Sequence, residues 1–334
     1  MIPLSVLDLA TVATGSSPAQ ALAETTQLAR AVERFGYHRL WVAEHHAMLA
    51  IASSAPAVVI AHLANATTTL RLGSGGVMLP NHAPLVIAEQ FATLEALHPG
   101  RIDLGLGRAP GTDPRTARAL RRSPDLRAAS FPDDVVELIG YMLPREGALP
   151  HPFATPGSGY LPEVWLLGSS TYSAQLAGML GLPFSFAYHF APDLLEQALS
   201  IYRSTFQPSL LLGSPQVMVA VTVLCAPTTE QAKYLAGSSA LSVLQRRTGT
   251  MGLLPSPEEA AAYHFSDEET EIVNQALATH VIGDPDTVRQ GLVALQERTR
   301  ADELMLSTRT HSYETRERSL RLIAESWGLV ATSL

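Results

Sequence analysis

The chain has 334 residues, of which 46% are hydrophobic and 16% charged. That balance supports a sizeable core and argues against disorder, in one large α/β barrel or two ordinary domains. A net charge of −8 with no block of like charges argues against nucleic acid as a partner, and the single cysteine excludes an intramolecular disulfide or a multi-thiolate metal cluster.

The densest basic run, "RALRRSPDLR" at 118–127, reads as a solvated loop or helix face. Cys225, inside the apolar run "VMVAVTVLCA", reads as a buried structural thiol. The opening "MIPLSVLDLA" has neither a basic n-region nor a long apolar stretch, so no secretory signal is expected. No uninterrupted apolar run approaches about 18 residues, so no membrane span is expected either, and a cytoplasmic protein is the natural reading.

Short β-rich runs alternate with amphipathic ones along the chain. A strand over 3–10 precedes a helix beginning at Pro18, where Ser17 and Gln20 have capping-box spacing and Gly36 marks the end. "RLWVAEHH" (39–46) is a second strand with a helix at 55–67, and "LRLGSGGVML" (70–79) a third with a helix at 84–97. "RIDLGLGRAPG" (101–111) is a fourth strand, followed by a helix around 131–143. "EVWLLGSS" (163–170) leads straight into helix "TYSAQLAGML", and "PFSFAYHF" (183–190) precedes a helix at 192–206. "QVMVAVTVLCA" (216–226) is the seventh strand, with Thr228 and Gln231 capping its helix; "ADELMLST" (301–308) is the eighth, before a closing helix at 314–327.

Eight such units, with strands apolar on both faces, predict parallel strands covered by helices and closed into a (β/α)8 barrel, a TIM barrel, as one domain over 1–334. A doubly wound sheet fits the alternation less well, because no glycine-rich dinucleotide turn follows the first strand. Two insertions interrupt the repeat. Residues 144–162 are rich in Pro and Gly and read as irregular with a short hairpin; 246–284 reads as a lid with an extra helix boxed by Ser266 and Glu269.

Barrel chemistry sits at the C-terminal ends of the strands. The second strand ends in Glu44, His45 and His46; alternation sends Glu44 and His46 one way and His45 the other, a poor arrangement for a metal and a better one for a single proton-handling imidazole. Gly73, Gly75 and Gly76 mark a distorted backbone or the close approach of something flat. Arg108 among glycines suits an anionic or electron-rich ligand, or a salt bridge. Gly168 and the hydroxyls of Ser169, Ser170, Thr171, Tyr172 and Ser173 open a helix, where free amides bind phosphate, or where Ser169 or Ser170 is an ordinary cap.

Taken in order, "LWVAEHH", "GSGGVMLPNHAPLVIAEQFATLEALHPGRIDLGLGRAPG", "GSSTYSAQLAGMLGLPFSFAYHFAP" and "VIGDPDTV" resemble the bacterial luciferase-like flavin monooxygenases over nearly the whole chain. The resemblance implies a (β/α)8 fold and FMN, in reduced form, as the group that reacts with O2. It implies a proton-transfer role for His45, a non-proline cis peptide at Gly75–Gly76 beneath the flavin ring, and Arg108 near the phosphate or ring. It also implies a phosphate turn made of Gly168, Ser169, Ser170, Tyr172 and Ser173. Gly168 stands where luciferases have an acidic residue, Tyr172 where they have threonine, and Gly107 where they have a reactive cysteine; these departures weaken light emission as a function.

The implied partners are a small organic substrate such as a long-chain aldehyde, O2, a flavin reductase or NAD(P)H, and a second copy of the chain through the apolar helices at 55–67 and 84–97. "FSFAYHF" and 251–263 would wall the substrate. A deazaflavin-dependent hydride-transfer enzyme and a flavin-binding protein without turnover are the alternatives.

Overall fold

A computed structural model of the chain describes residues 1–109, 113–120, 127–149 and 151–330. Its strands are β1 (Leu4–Asp8), β2 (Arg39–Val42), β3 (Arg71–Met78), β4 (Ile102–Gly107), β5 (Glu163–Gly168), β6 (Phe184–Ala187), β7 (Val217–Cys225), β8 (Val281–Gly283) and β9 (Glu303–Ser307). The helices are α1 (Pro18–Arg34), α2 (Pro56–Ala66), α3 (Pro84–Leu97), α4 (Pro114–Leu120), α5 (Arg127–Met142), α6 (Thr171–Leu180), α7 (Leu195–Thr205), α8 (Thr229–Thr248), α9 (Pro257–Ala262), α10 (Asp267–Leu277), α11 (Pro285–Thr299) and α12 (Tyr313–Trp327).

All strand pairings are parallel, and the order β1-β2-β3-β4-β5-β6-β7-β9 returns to β1, closing an eight-stranded barrel. These eight strands are the eight anticipated. The short β8 is additional, pairing with the far end of β7 at Val223–Cys225 beyond the closed ring.

Alternation along the strands sorts the core into two parts. Outward residues such as Leu40, Leu72, Leu104, Leu166, Phe184 and Val219 join the helices in the main cluster, while Trp41, Trp165, Met218, Ala220 and Met305 fill the barrel axis. Below them lies a polar layer. Arg39 contacts Glu303 at 2.9 Å, Asp103 at 2.9 Å and Glu163 at 3.4 Å. Arg71 reaches Asp103 and Glu163, while the indoles of Trp41 and Trp165 donate to Asp103 and Glu163. The barrel floor is therefore plugged, and the open end is the C-terminal rim.

Several terminal details depart from the sequence reading. Ser17 accepts from the Gln20 amide, but the Gln20 side chain donates to Glu24 rather than back to Ser17, so the box is half formed. Ser266–Glu269 is a full capping box, and Ser256–Glu259 is a second one on α9 that was not anticipated. Residues 144–149 and 151–162 contain no strand, so the expected hairpin is absent there; Pro152 and Pro156 follow cis peptide bonds. Most of the basic run at 118–127, and the end of the fourth predicted strand at 110–111, lie outside the described residues. Cys225 is buried as expected, and burial pushes its thiol up to about 12. Among the described residues no helix is long and apolar enough to cross a membrane.

Glu33, at the end of α1, shows how a turn is fixed below the barrel. One carboxylate oxygen accepts from the amides of Thr68, Thr69 and Leu70 at 2.6–2.9 Å. Burial raises its pKa, but those donors outweigh burial and hold it below the usual carboxylate value. Its stabilisation is thus present above the unfolded pKa and fades as pH falls through the lower folded one. Glu33→Gln is expected to cost about 1–2 kcal/mol at pH 7. Urea denaturation should show the difference shrinking as pH falls below about 4; a constant difference across pH would refute it.

Candidate active site at the C-terminal rim of the barrel

The chain leaves β2 through Ala43 and Glu44. Glu44 is fully buried and accepts from His82 at 2.8 Å, from His46 at 2.9 Å and from the Met78 amide at 3.0 Å. Burial alone would raise its pKa, but these hydrogen bonds win and keep it an anion. Glu44 thereby ties the end of β2 to the end of β3. As alternation requires, His46 lies on the Glu44 side. His45 keeps the parity of Arg39 and Trp41, which face the axis, and is half-buried. Its amide donates to Ser53 O at 3.0 Å, and the Ser53 hydroxyl returns a bond to Ala43 O at 2.6 Å. Two ties to Ser53 thus fix the main chain at Ala43 and at His45. Ala47, at φ +55°, turns the chain before Ala50 and Ala52 bond to the β1 extension at Val12 and Ala10.

The next strand carries the distortion expected of its glycines. The Gly75–Gly76 peptide is cis, and the β3–β4 register slips between Ser74 and Val77. The reason for glycine is packing. A Cβ on Gly75 would sit 2.8 Å from Leu7 Cδ1, and one on Gly76 would sit 2.7 Å from the Gly105 carbonyl. Gly73 is closed in by Trp41 and Asp103. Close packing within the barrel thus leaves no room for a side chain at any of the three glycines.

One strand further round, Gly107 leads to Arg108, and beyond it Gly168 leads to the start of α6. Here the structure brings predicted residues together. The Arg108 guanidinium carbon stands 4.2 Å from the centre of the Tyr172 ring, on the first turn of α6, and no carboxylate pairs with it among the described residues. Stacking replaces the salt bridge that was the alternative. Ser170 occupies the N-cap position with extended backbone but makes no side-chain capping bond. The Ser, Thr and Asp N-caps of α1, α8, α9, α10, α11 and α12 all do, whereas α2, α3 and α7 start after Ala55, Ala83 and Leu194, which carry no side-chain acceptor to cap with. Ordinary capping by Ser170 is therefore not what this turn does, and the first-turn amides of α6 stay available. Ser169 and Ser170 are half-buried, Tyr172 is exposed, and Ser173 is buried. A Cβ on Gly168 would fall 2.3 Å from Ser173 Cβ, so Gly168 lets α6 close onto β5. An anion with several oxygens fits this donor set: helix amides, hydroxyls and a guanidinium.

The first half of "FSFAYHF" does not wall the rim as expected. Phe184 and Phe186 point outward into the helical layer, with Phe184 5.4 Å from Tyr202, and the inward positions are Ser185 and Ala187. Four basic side chains near the rim were not anticipated: His189 after β6, Arg246 late in α8, His280 before β8 and Arg309 after β9. The insertion at 251–263 is fastened to the β1 extension. Leu254 exchanges main-chain bonds with Val12 and Thr14, and Thr14 donates to Glu259 and contacts His311.

Comparison with known proteins adds a second line of observation. The family model for luciferase-like monooxygenase matches residues 2–302. A luciferase-like monooxygenase of Escherichia coli (strain K12) is 50% identical over 321 residues, 96% of each chain. The N-acetyl-S-alkylcysteine monooxygenase of Bacillus subtilis (strain 168) is 34% identical over 333 residues, 98% of each chain. Among solved structures, apo-MsnO8 aligns with a TM-score of 0.92 at 36% identity, over 99% of this chain and 100% of that one.

Proposed function

The chain belongs to the luciferase-like monooxygenase family, and on that premise we propose that it is an FMN-dependent monooxygenase whose reaction takes place at the C-terminal rim. The observation that carries this reading is the uncapped start of α6, facing the Arg108–Tyr172 stack. In the proposal, the amides of that turn and Ser169, Ser170 and Ser173 hold the phosphate. Gly168 keeps the turn tight, Tyr172 holds Arg108 over it, and the ring lies across Gly75–Gly76. Reduced FMN, when bound, supplies the two electrons and two protons with which O2 is divided, one oxygen atom entering the substrate and the other leaving as water.

The chain's own residues do the rest. Trp41, Trp165, Met218 and Met305 close the barrel beneath the rim and keep water from entering from below. His45, bracketed by Ser53 and Glu44, delivers and accepts the proton at its imidazole nitrogen. An aldehyde remains one proposed substrate; the name of the Bacillus relative adds an alkyl thioether. The reductant is a partner flavin reductase or NAD(P)H, which a nicotinamide-oxidation assay with and without added reductase separates. A second copy is proposed to cover α2 and α3, where Val58, Val86 and Leu97 are exposed; a monomeric mass by light scattering would remove that element.

The test of the cofactor is direct. FMN and reduced FMN are titrated into the protein, and reduced FMN is then mixed with air and either substrate class while O2 uptake is recorded. Binding with substrate-dependent uptake is expected. Arg108→Leu, and Ser169→Ala combined with Ser173→Ala, should each weaken FMN binding about tenfold or more, the loss of charge-assisted bonds. Failure to bind FMN in either redox state would overturn the proposal, and binding of a deazaflavin alone would move the chain to hydride transfer.

A further inference from the structure

Four basic groups meet in one sector of the rim, and among the described residues no carboxylate pairs with them. They come from four separate stretches of chain: His189 from the end of β6, Arg246 from the last turns of α8, His280 from the residue before β8, and Arg309 from the loop after β9. Each lies within electrostatic range of others. His280 feels the charges of His189, Arg309 and Arg246, while His189 and Arg309 each feel Arg246. No ion pair or side-chain hydrogen bond to a carboxylate involves any of the four among the described residues; the carboxylates that are paired lie elsewhere.

Arg309 carries the sharpest mismatch. Its Nε is buried with no hydrogen-bond partner, and so is the hydroxyl of the preceding Thr308. Its main chain is pinned from the other side, since the Ser239 hydroxyl donates to the Arg309 carbonyl at 3.3 Å. An unsatisfied buried donor is costly, more so on a charged group, and persists where a partner compensates for it. His189 lines the cluster without supplying a donor to a carboxylate. Its Nδ1 contacts the Ala220 carbonyl at 3.1 Å, and since a carbonyl only accepts, Nδ1 carries the proton and Nε2 of the neutral ring is an acceptor. Burial and the surrounding positive charge lower both histidines to about 4, so at neutral pH the positive charge resides on the two arginines. Burial also lowers Arg309, to about 10, which leaves it cationic.

We propose that Arg309 and Arg246, flanked by His189, His280 and Thr308, bind the carboxylate of the organic substrate. This deepens the reading above by naming the substrate class, and it rests on the rim being the reaction site. Arg309, which carries the orphaned donor, follows β9, two strands from β2, which presents His45, and three from β5. His189 follows β6, which pairs with β5, so the cluster spans the sector of the rim from β6 to β9. A carboxylate held at β9 leaves the remainder of the molecule extending over the axis, between the cations and the imidazole. The bidentate geometry of a guanidinium suits a carboxylate, and the orphaned Nε is one arm of that fork.

The experiment uses the full chain without flavin, titrated calorimetrically with octanoate and with octanamide, which share a chain and differ in charge. FMN is titrated separately. Octanoate is expected to bind at least tenfold more tightly than octanamide. Arg309→Met and, independently at an exposed position, Arg246→Met should erase most of that preference. Arg309→Lys should retain part of it, and all three should keep FMN affinity within twofold. Equal binding of acid and amide, including no binding of either, overturns the inference. So does an Arg309→Met protein that keeps the preference, or one whose defect is in FMN affinity, which would place the phosphate here instead. If octanoate binds as expected and FMN does not, the cofactor reading fails and the carboxylate site stands.

Discussion

Replacing His45 by alanine is expected to lower kcat/KM about 10²–10⁴-fold, the range for loss of a positioned acid–base group, while the FMN Kd changes less than about twofold. The separation follows from where the residue sits. His45 leaves the rim from the end of β2, whereas the donors proposed for the phosphate belong to β4, β5 and α6. Its neighbours also hold their places without the ring: Ser53 binds the main chain at Ala43, and Glu44 is fixed by His82, His46 and the Met78 amide. Removing the imidazole therefore takes away the proposed proton carrier, while these ties of the surrounding chain remain. Stopped-flow mixing of the reduced complex with O2 gives the rate, and anaerobic titration gives the affinity. A variant that loses FMN binding in proportion to activity would make His45 a cofactor contact, and one that turns over normally would end its assigned role.

How far such a site is legible in a sequence depends on whether its parts lie close together in the chain. The eight barrel strands were readable because each is a run of apolar, β-prone residues set off by helix signals, and the rule that barrels work at their strand ends then made His45, Arg108 and the turn at 168–173 the candidates proposed above. Short reach defeated the reading elsewhere. β8 has three residues, too few for a pattern. The aromatic run at 184–190 was read for its composition, although alternation turns Phe184 and Phe186 away from the axis and brings Ser185 inward. Arg246, His280 and Arg309 belong to no motif, and only closure of the barrel brings β6, β7 and β9 side by side. The signal that existed was positional: His189 and Arg309 each follow a barrel strand at its C-terminal end.

The largest effect on stability is expected at Arg39, far below the rim. Two arginines, Arg39 and Arg71, serve three carboxylates, Asp103, Glu163 and Glu303, so the layer is one positive charge short (two minus three). The deficit shows at Glu303. Burial raises its pKa, and Arg39 and the Ser5 hydroxyl only partly offset that. Arg39 itself is held cationic, because its three anionic neighbours outweigh its own burial. Arg39→Met keeps an aliphatic stem but removes the guanidinium, whose carbon lies 5.8 Å from the centre of the Trp41 ring and 5.2 Å from that of Trp165. The change leaves Glu303 buried without its arginine and Asp103 with Arg71 alone, at a cost of about 3–5 kcal/mol at pH 7. The sign with pH is fixed by the direction of Glu303. A carboxyl whose folded pKa lies above its unfolded value favours folding when protonated, and that contribution is lost as pH rises through the folded value. Without Arg39 the folded value rises further, so the variant binds extra protons on folding and its deficit should shrink between pH 7 and pH 5. Urea denaturation at both pH values, with Glu303→Gln added to Arg39→Met, separates charge from packing. Neutralising Glu303 should recover part of the loss at pH 7 and little at pH 5. A deficit below about 1 kcal/mol, or one that grows on acidification, would show that the layer is not held together by its cations.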